Sequence, residues 1–448
     1  MELKKSNNAF SAKETDEDFL EQINSYKQAA DIQKHNDTII KTISDQQYTL
    51  GDVPKRRPTA IEAFMKKHTA DIKKYDDKIA RILAAAKDSS GNTLLYYAAK
   101  EGNLDLARLL IKEGADVNAE DNKGLAPLHA AASSGAKNVA ELLVDNGADV
   151  NANARGYDNW TPLHFAAKYD AKDVVKFLVD KGANVNAKGS KGRIPLHYAA
   201  SNDIAKLLVD GGSDIYSRGN EGLTPLHTAA LYNVEDVAEF LVSKGVSVHN
   251  IANQKPLHCA AQFNANNVVG LLIDKGADVN AKDRDYQTPL HFTTSKDVAE
   301  LLIDKGANVD ALNTDGRTPL HLAAYSKAKD VAELLIDKGA DVDDRDNIDW
   351  TPLHTTAFFD AEDVAELLVD KGADINARNS NNKTPFEVAR GEVVTFLALA
   401  KDNSDNTLLH YAAKEGNLDL IELLIKEGAD IDAKNDDNKT PFELALGL

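Results

Sequence analysis

The sequence predicts an all-α repeat protein, a solenoid in which short helix pairs stack one behind another. Two segments alternate along the chain, one built around Thr-Pro-Leu-His and one resembling Val-Ala-Glu-Leu-Leu followed by Gly-Ala-Asp. The histidine of the first segment recurs at intervals of 30 to 35 residues between His129 and His354. A period of this length is typical of repeated supersecondary units, so we expect about ten full repeats plus degenerate and capping units.

One unit, residues 161–187, shows the physical reason for each part of the pattern. Thr161 can accept a backbone hydrogen bond where the first helix begins, and Pro162 suits the first helical turn. Apolar residues within 174–179 have the spacing of a second helix, and Gly182 stands where a helix ends in a left-handed residue. Such a helix pair leaves an apolar flank that only the next repeat can cover.

Nine histidines occupy the same slot in successive units. They are His129, His164, His197, His227, His258, His291, His321, His354 and His410. Tyr96, Glu387 and Glu443 fill this slot in three degenerate copies. A metal site needs several ligands at one point, whereas these histidines fall one to a layer. We therefore interpret each as a neutral imidazole that bridges the threonine hydroxyl and backbone groups, and we expect no metal and no cofactor.

These motifs resemble the ankyrin-repeat family over roughly residues 88–448, since the family has a period of 33 and a Thr-Pro-Leu-His-x-Ala signature. The resemblance implies helix-turn-helix units joined by β-hairpin-like fingers. It also implies that partner proteins bind along the concave groove and at the finger tips. Long arrays of this kind resemble those frequent in intracellular bacteria, which would allow delivery into a host cell.

The predicted organisation has five parts. Residues 1–58 form an N-terminal helical, partly flexible segment, and residues 59–90 form a helical cap. Residues 91–382 hold repeats 1 to 9, and residues 383–405 form a degenerate repeat. Residues 406–448 hold one more repeat and a half-repeat, and the natural protein either ends with this half-repeat as a cap or continues beyond it.

Several units depart from the regular pattern. Repeats 4 and 7 lack about three residues between their helices, whereas the finger before repeat 3 gains two residues. Residues 83–115 closely match residues 397–429, so the degenerate unit resembles a second copy of the array opening. We expect these departures to notch the groove and a joint to lie at residues 383–405.

Aromatic residues are the candidates for partner binding, because Tyr, Phe and Trp anchor many protein interfaces. The groove candidates, at the ends of the first helices, are Tyr169, Tyr232, Phe263, Tyr325 and Phe359. The finger candidates are Trp160, Trp350, Tyr157 and Tyr286, and we expect the two tryptophans to be exposed. The alternative is that these rings simply pack against neighbouring helices and fingers.

Charge and composition restrict the partners. Residues 1–87 hold 16 basic and 14 acidic residues, whereas the rest of the chain holds 36 basic and 57 acidic residues. Such an acidic array disfavours nucleic acid and favours a protein partner with a basic surface. The single cysteine, Cys259, favours a reducing cytoplasm, and the sequence shows neither a signal peptide nor an apolar run long enough for a membrane span. We expect a monomer.

Two functions follow from these observations. The first is a non-enzymatic scaffold that binds a folded protein through the groove and finger tips. The alternative is an address module for an effector whose activity lies in residues 1–87 or in a domain beyond the C-terminus. Because no phosphate loop, zinc pattern or nucleophile elbow is present, we expect no enzyme activity.

Overall fold

The computed structural model describes residues 84–85, 87–88, 90–249 and 255–446. The predicted segment 1–58 and most of the predicted cap lie outside the described residues. The described part contains 21 α-helices, two 3-10 helices and no β-strand, so the predicted all-α repeat fold is confirmed. Isolated β-bridges such as Ala154–Trp160 close individual fingers.

Each repeat contributes a first and a second helix. The first helices are Leu94–Lys100, Pro127–Ser134, Pro162–Lys168, the 3-10 helix Pro195–Tyr198, Pro225–Leu231, Pro256–Gln262, the 3-10 helix Pro289–His291, Pro319–Tyr325, Pro352–Phe359, Pro385–Val388, Leu408–Glu415 and Pro441–Ala445. The second helices are Leu104–Lys112, Lys137–Asp145, Lys172–Asp180, Asn202–Asp210, Glu235–Ser243, Asn266–Asp274, Lys296–Asp304, Lys329–Asp337, Glu362–Asp370, Glu392–Leu399 and Leu418–Lys426. Through repeat 9, first helices pack on first helices and second helices on second helices, which gives an inner and an outer layer.

The core lies between these two layers and runs from one repeat into the next. In repeat 3, Val174, Val175 and Leu178 of the outer helix are completely buried. Ala166 and Ala167 of the inner helix are equally buried, and their small side chains let the neighbouring helices approach closely. Each buried Val or Leu side chain contributes about 1.5–3 kcal/mol, so stacking is the main source of stability.

The motif histidines connect adjacent repeats. Nδ1 of His164 accepts hydrogen bonds from the backbone N–H and the hydroxyl of Thr161, at 3.1 and 2.9 Å. Nε2 of the same ring donates to the carbonyl oxygen of Arg193 in the next finger, at 3.2 Å. His321 makes the same bonds to Thr318 and to the carbonyl oxygen of Trp350. One neutral ring therefore caps its own helix and holds the following finger.

Glutamate in this slot preserves only half of the arrangement. Glu387 accepts from the backbone N–H of Thr384 at 2.9 Å, and Glu443 accepts from that of Thr440 at 2.7 Å. An ionised carboxylate has no N–H to donate to a following finger carbonyl. Each glutamate therefore keeps the bond that caps its own helix and lacks the N–H that histidine donates to the following finger.

Repeats 4 and 7 are shortened within their inner helices. The 3-10 helix Pro195–Tyr198 replaces two turns of α-helix, and Ala199 then leaves it with φ −56° and ψ 117°. Repeat 7 has only Pro289–His291 at this place. The missing residues therefore come from the inner helix itself, and the outer helices keep their full length of nine residues.

The degenerate unit changes the stacking pattern. Its second helix, Glu392–Leu399, packs against the outer helix Glu362–Asp370 on one side and against the inner helix Leu408–Glu415 on the other. The repeat that follows opens like repeat 1, because the bridge between Lys401 and Thr407 reproduces the bridge between Lys87 and Thr93. The duplication seen in the sequence thus extends to the local structure.

The buried histidines predict a loss of stability in mild acid. Burial lowers the pKa of His321 from 6.5 to about 4. Its neutral form therefore contributes stability that is complete above pH 6.5 and declines as the pH falls towards 4, since the unfolded chain binds the proton first. Replacement His321→Gln should reduce the fall in thermal midpoint between pH 6.5 and 4.5, relative to the midpoint of each protein at pH 7.5. Parallel curves for the two proteins would contradict this role.

Candidate functional site

The groove candidates lie where the inner helices end. Tyr169, Tyr232 and Phe263 directly follow their helices, whereas Tyr325 and Phe359 are the last residues of theirs. All five side chains are half-buried, so each presents part of its ring to solvent. Residues with positive φ follow these rings, as Asp170 and Asp360 do at 55°, and turn the chain towards the outer helix. The rings thus occupy the same edge of repeats 3, 5, 6, 8 and 9.

In repeats 8 and 9 these rings join into one cluster. The ring centroids of Tyr325 and Phe359 lie 4.6 Å apart, edge to face. Phe358 lies 5.0 Å from Phe359 and 5.4 Å from Trp350, and the Arg390 guanidinium stacks 3.9 Å above the Phe358 ring. Trp350 and Arg390 of the degenerate unit therefore both contact this cluster through the ring of Phe358.

The expectation that the two tryptophans are exposed is wrong. Trp160 and Trp350 are only 6% and 4% exposed, so neither is a finger-tip side chain. The Trp160 ring lies 5.2 Å from Phe165 of its own repeat and 4.4 Å from Tyr198 of the next. The side chain before Thr-Pro lies between two inner helices, because the chain has already turned from the finger towards the inner layer at this position. The tryptophans therefore pack inside the inner layer and do not line the groove.

The finger tyrosines differ from one another. Tyr157 is half-buried against Phe165 at 5.8 Å, with the Lys123 ammonium 5.3 Å from its ring centroid. Tyr286 is 56% exposed and has the ammonium of Lys282 5.1 Å from its ring centroid. Tyr216 is just as exposed, and sequence analysis missed it. Its signal is a tyrosine at the finger position that holds asparagine or aspartate in most other repeats.

Arg193 is a second feature that the sequence analysis missed. Its side chain is almost completely buried, and Nη2 lies 3.5 Å from a carboxylate oxygen of Glu221. The phenols of Tyr198 and Tyr232 lie beside the guanidinium; burial raises the pKa of both phenols, and Arg193 opposes that rise. Tyr198 of repeat 4 and Tyr232 of repeat 5 thus both interact with the buried guanidinium of Arg193.

An equivalent arginine in repeat 8 shows what is unusual about Arg193. Nε of Arg317 lies 3.3 Å from the buried carboxylate of Asp346 in the next finger. The corresponding finger position after Arg193 is Gly219, and both residues donate the closing N–H bond of their finger. A Cβ at Gly219 would lie 3.1 Å from Cγ of Arg193, so the glycine leaves room for the arginine side chain. Arg193 thus faces tyrosines instead of a buried aspartate.

A polar cleft of about 760 Å³ lies among the fingers of repeats 1 to 3. It is lined by Asn118, Glu120, Asp149, Ala152, Asn153, Arg155, Asn159 and Lys188. The two extra residues of the repeat 3 finger bring Arg155 to this cleft, where it lies 3.3 Å from Glu120. Amide and charged groups of this kind can form hydrogen bonds with a polar segment of a partner.

The part of the chain that the structure describes gives no support for a metal site, a reactive thiol or a membrane span. Among these residues, no three His, Cys, Asp or Glu side chains come together in a group that could hold a metal ion. Cys259 is buried, and burial raises the pKa of its thiol to about 12, so the thiolate nucleophile is disfavoured. Every helix in the described ranges falls short of the length and apolar character that a membrane span requires.

Comparison with known proteins agrees with this architecture. A family model described as ankyrin repeats in three copies matches residues 60–154, 151–219, 196–283, 257–346 and 290–379. A second model, ankyrin repeats in many copies, matches residues 397–445. The chain belongs to the ankyrin-repeat family, whose members are generally protein-interaction modules.

The similar curated proteins share only a short segment with this chain. Ankyrin repeat and IBR domain-containing protein 1 of Mus musculus is 48% identical over 46 residues, and so is its Homo sapiens counterpart. The match covers 10% of this chain and 4% of each relative. The likeness is therefore to about one repeat and says nothing of the remainder of those proteins.

The buried tryptophan predicts a stability effect. Replacement Trp160→Ala should destabilise the array by about 3–5 kcal/mol, because it empties the space between Phe165 and Tyr198. Tyr216→Ala, at an exposed position, should change stability by less than about 0.5 kcal/mol. Urea unfolding followed by circular dichroism measures both. If Trp160→Ala unfolds at the wild-type denaturant concentration, the supporting role assigned to the tryptophan is wrong.

Proposed function

We propose that the array is a non-enzymatic scaffold that binds a folded protein through the groove beside the inner helix ends and through the finger tips. The observation that carries this proposal is the row of half-buried rings at Tyr169, Tyr232, Phe263, Tyr325 and Phe359. A half-buried ring is held in place by its neighbours, so it loses little conformational entropy on binding and still offers apolar area.

The partner carries a basic surface. The array's acidic excess attracts positive charge over distances of about 10 Å at moderate salt, which steers a basic partner to the groove. Tyr157 and Tyr286 of the fingers widen the contact beyond the inner helices. We place the interaction in a reducing compartment such as the cytoplasm, a choice supported by the single cysteine. An address role for residues 1–87 or for a domain beyond the C-terminus stays a prediction.

Ring removal tests this function. Proteins captured from a cell lysate by the wild-type array are identified by mass spectrometry and compared with those captured by the double variant Tyr169→Ala/Phe263→Ala. We expect recovery of the specific partner to fall at least about tenfold, since anchor residues contribute about 1–2 kcal/mol or more each. Recovery should also fall as ionic strength rises, because the attraction of a basic partner is screened.

Lys206→Ala is the matched control, because Lys206 is an exposed residue of the outer helix Asn202–Asp210. This variant should retain the partner. Thermal midpoints are measured for all three proteins. If the double variant loses stability in parallel with binding, or keeps its partner in full, the rings serve packing and the proposed surface is wrong.

A further inference from the structure

Two exposed cations accompany the ring cluster of repeats 8 and 9. The rings of Tyr325, Phe358 and Phe359 are half-buried and contact one another edge to face. The Arg390 guanidinium lies 3.9 Å from the ring centroid of Phe358, and Lys327 follows Tyr325 by two residues. Both cationic side chains are exposed. We call these five residues the cationic ring site.

Lys327 stands where the backbone disfavours lysine. Its φ is 57°, in the left-handed region that is unfavourable for most side chains but suits Gly, Asn and Asp. The equivalent positions after the other full-length inner helices that the structure describes hold these three residue types, at Gly102, Gly135, Asp170, Asn233, Asn264, Asp360 and Gly416. A residue held in an unfavourable conformation points to a use for its side chain.

Arg390 is held by the degenerate unit and by stacking. Its backbone N–H donates to the carbonyl oxygen of Ala357 at 2.9 Å, and its guanidinium packs on Phe358. A guanidinium stacked on an aromatic face keeps its N–H groups in its own plane, where they can bind a carboxylate through two parallel bonds. Among the residues that the structure describes, no carboxylate lies within ion-pair distance of Arg390 or Lys327.

Asp360 lies beside the site, but its carboxylate faces the next helix. Its Oδ1 accepts from the backbone N–H of Val393 at 3.4 Å, and a Cβ at Gly391 would overlap the same carboxylate. The start of a helix favours negative charge, so this carboxylate is engaged by the helix Glu392–Leu399. The carbonyl oxygen of Asp360 accepts from Nζ of Lys327 at 2.5 Å. Asp360 therefore positions the ammonium through its backbone, without pairing its carboxylate with either cation.

The charge of the site is opposite to that of the array. Residues 88–448 hold 36 basic and 57 acidic residues, so most of the groove repels a carboxylate. At the cationic ring site a carboxylate instead meets a guanidinium and an ammonium, and an apolar side chain beside it meets three partly exposed rings. The chemistry that fits both features is an acidic residue next to a large apolar residue.

We propose that the cationic ring site binds an acidic segment of the partner protein, with an apolar side chain on the rings and a neighbouring carboxylate on Arg390 and Lys327. This inference rests on the proposed function and adds the chemistry of one place in the groove. Because the array as a whole attracts basic surfaces, a site of opposite preference fixes the direction in which the partner lies along the groove.

Fluorescence anisotropy with the full chain tests the proposal. The probe is a dye-labelled peptide with one phenylalanine between two aspartates, titrated with protein up to about 0.5 mM because a contact of this size is weak. A matched peptide carries asparagines in place of the aspartates. We expect the aspartate peptide to bind at least about tenfold more tightly, since hydrogen bonds to a charged acceptor are stronger than neutral ones. Equal affinities, or no binding of either peptide, overturn the proposal.

Two single variants assign the binding to the site. Arg390→Gln and Lys327→Asn should each weaken binding of the aspartate peptide at least about fivefold, because each removes one cation. Lys206→Asn removes the same charge from an exposed place on an outer helix and should bind like the wild type. Equal weakening in all three variants shows that only overall charge matters, and unchanged binding in both site variants places the contact elsewhere. Either result contradicts the proposal.

The thermal midpoint of Lys327→Asn separates a binding role from a packing role. Asparagine tolerates positive φ, so this variant should keep or raise the midpoint while it loses affinity for the peptide. A lower midpoint shows that the lysine serves stability, which is the opposite of what the proposal requires.

The same peptide separates this site from the groove of repeats 3 and 6. The double variant Tyr169→Ala/Phe263→Ala leaves the cationic ring site intact and should bind the aspartate peptide like the wild type. If that variant keeps its lysate partner while peptide binding still depends on Arg390, the proposed groove surface is wrong and the cationic ring site stays supported. Loss of the lysate partner together with equal affinities for the two peptides gives the reverse result.

Discussion

The contact between neighbouring repeats is the interaction on which the rest of this structure depends. Each helix pair buries its apolar side chains against the next pair. Residues such as Leu163 and Leu178 are fully buried because neighbouring repeats stack against them. The motif histidine adds a directional bond to the same contact, because His164 caps its own helix and donates to the next finger. Stacking sets the distance between neighbouring repeats, and the hydrogen bonds of the histidine set the position of the finger relative to the helix.

This contact also explains the irregular units. Glutamate replaces histidine at 387 and 443 and caps the start of its own helix without an N–H to donate to another finger. The short inner helix of repeat 4 is tolerated because its outer helix keeps its full length and the stack stays continuous. A repeat protein can therefore vary its groove locally, provided that the outer layer continues.

The site proposed here has two levels. Buried aromatics such as Trp160 and Trp350 pack against rings of the inner helices. Half-buried rings such as Tyr169 and Phe263 lie at the ends of inner helices and are the candidates for contact with a partner. The acidic excess of the array adds long-range attraction for basic proteins but cannot choose among them, because screened charge carries little shape information.

The sequence by itself determined the repeat, the helix pairs, the caps and the positions that stand at equivalent places, since these follow from local spacing and turn chemistry. It could not determine which of these equivalent side chains are exposed to solvent. Phe386 and Phe442 occupy the same motif, yet one is buried and the other exposed, because burial depends on whether another unit lies against that face. Trp160 was predicted at a finger tip and lies between inner helices, and Arg193 gains its setting from a glycine and a tyrosine in the next repeat. Only the tertiary structure decided these points, because each depends on side chains about thirty residues away in sequence that stacking brings together.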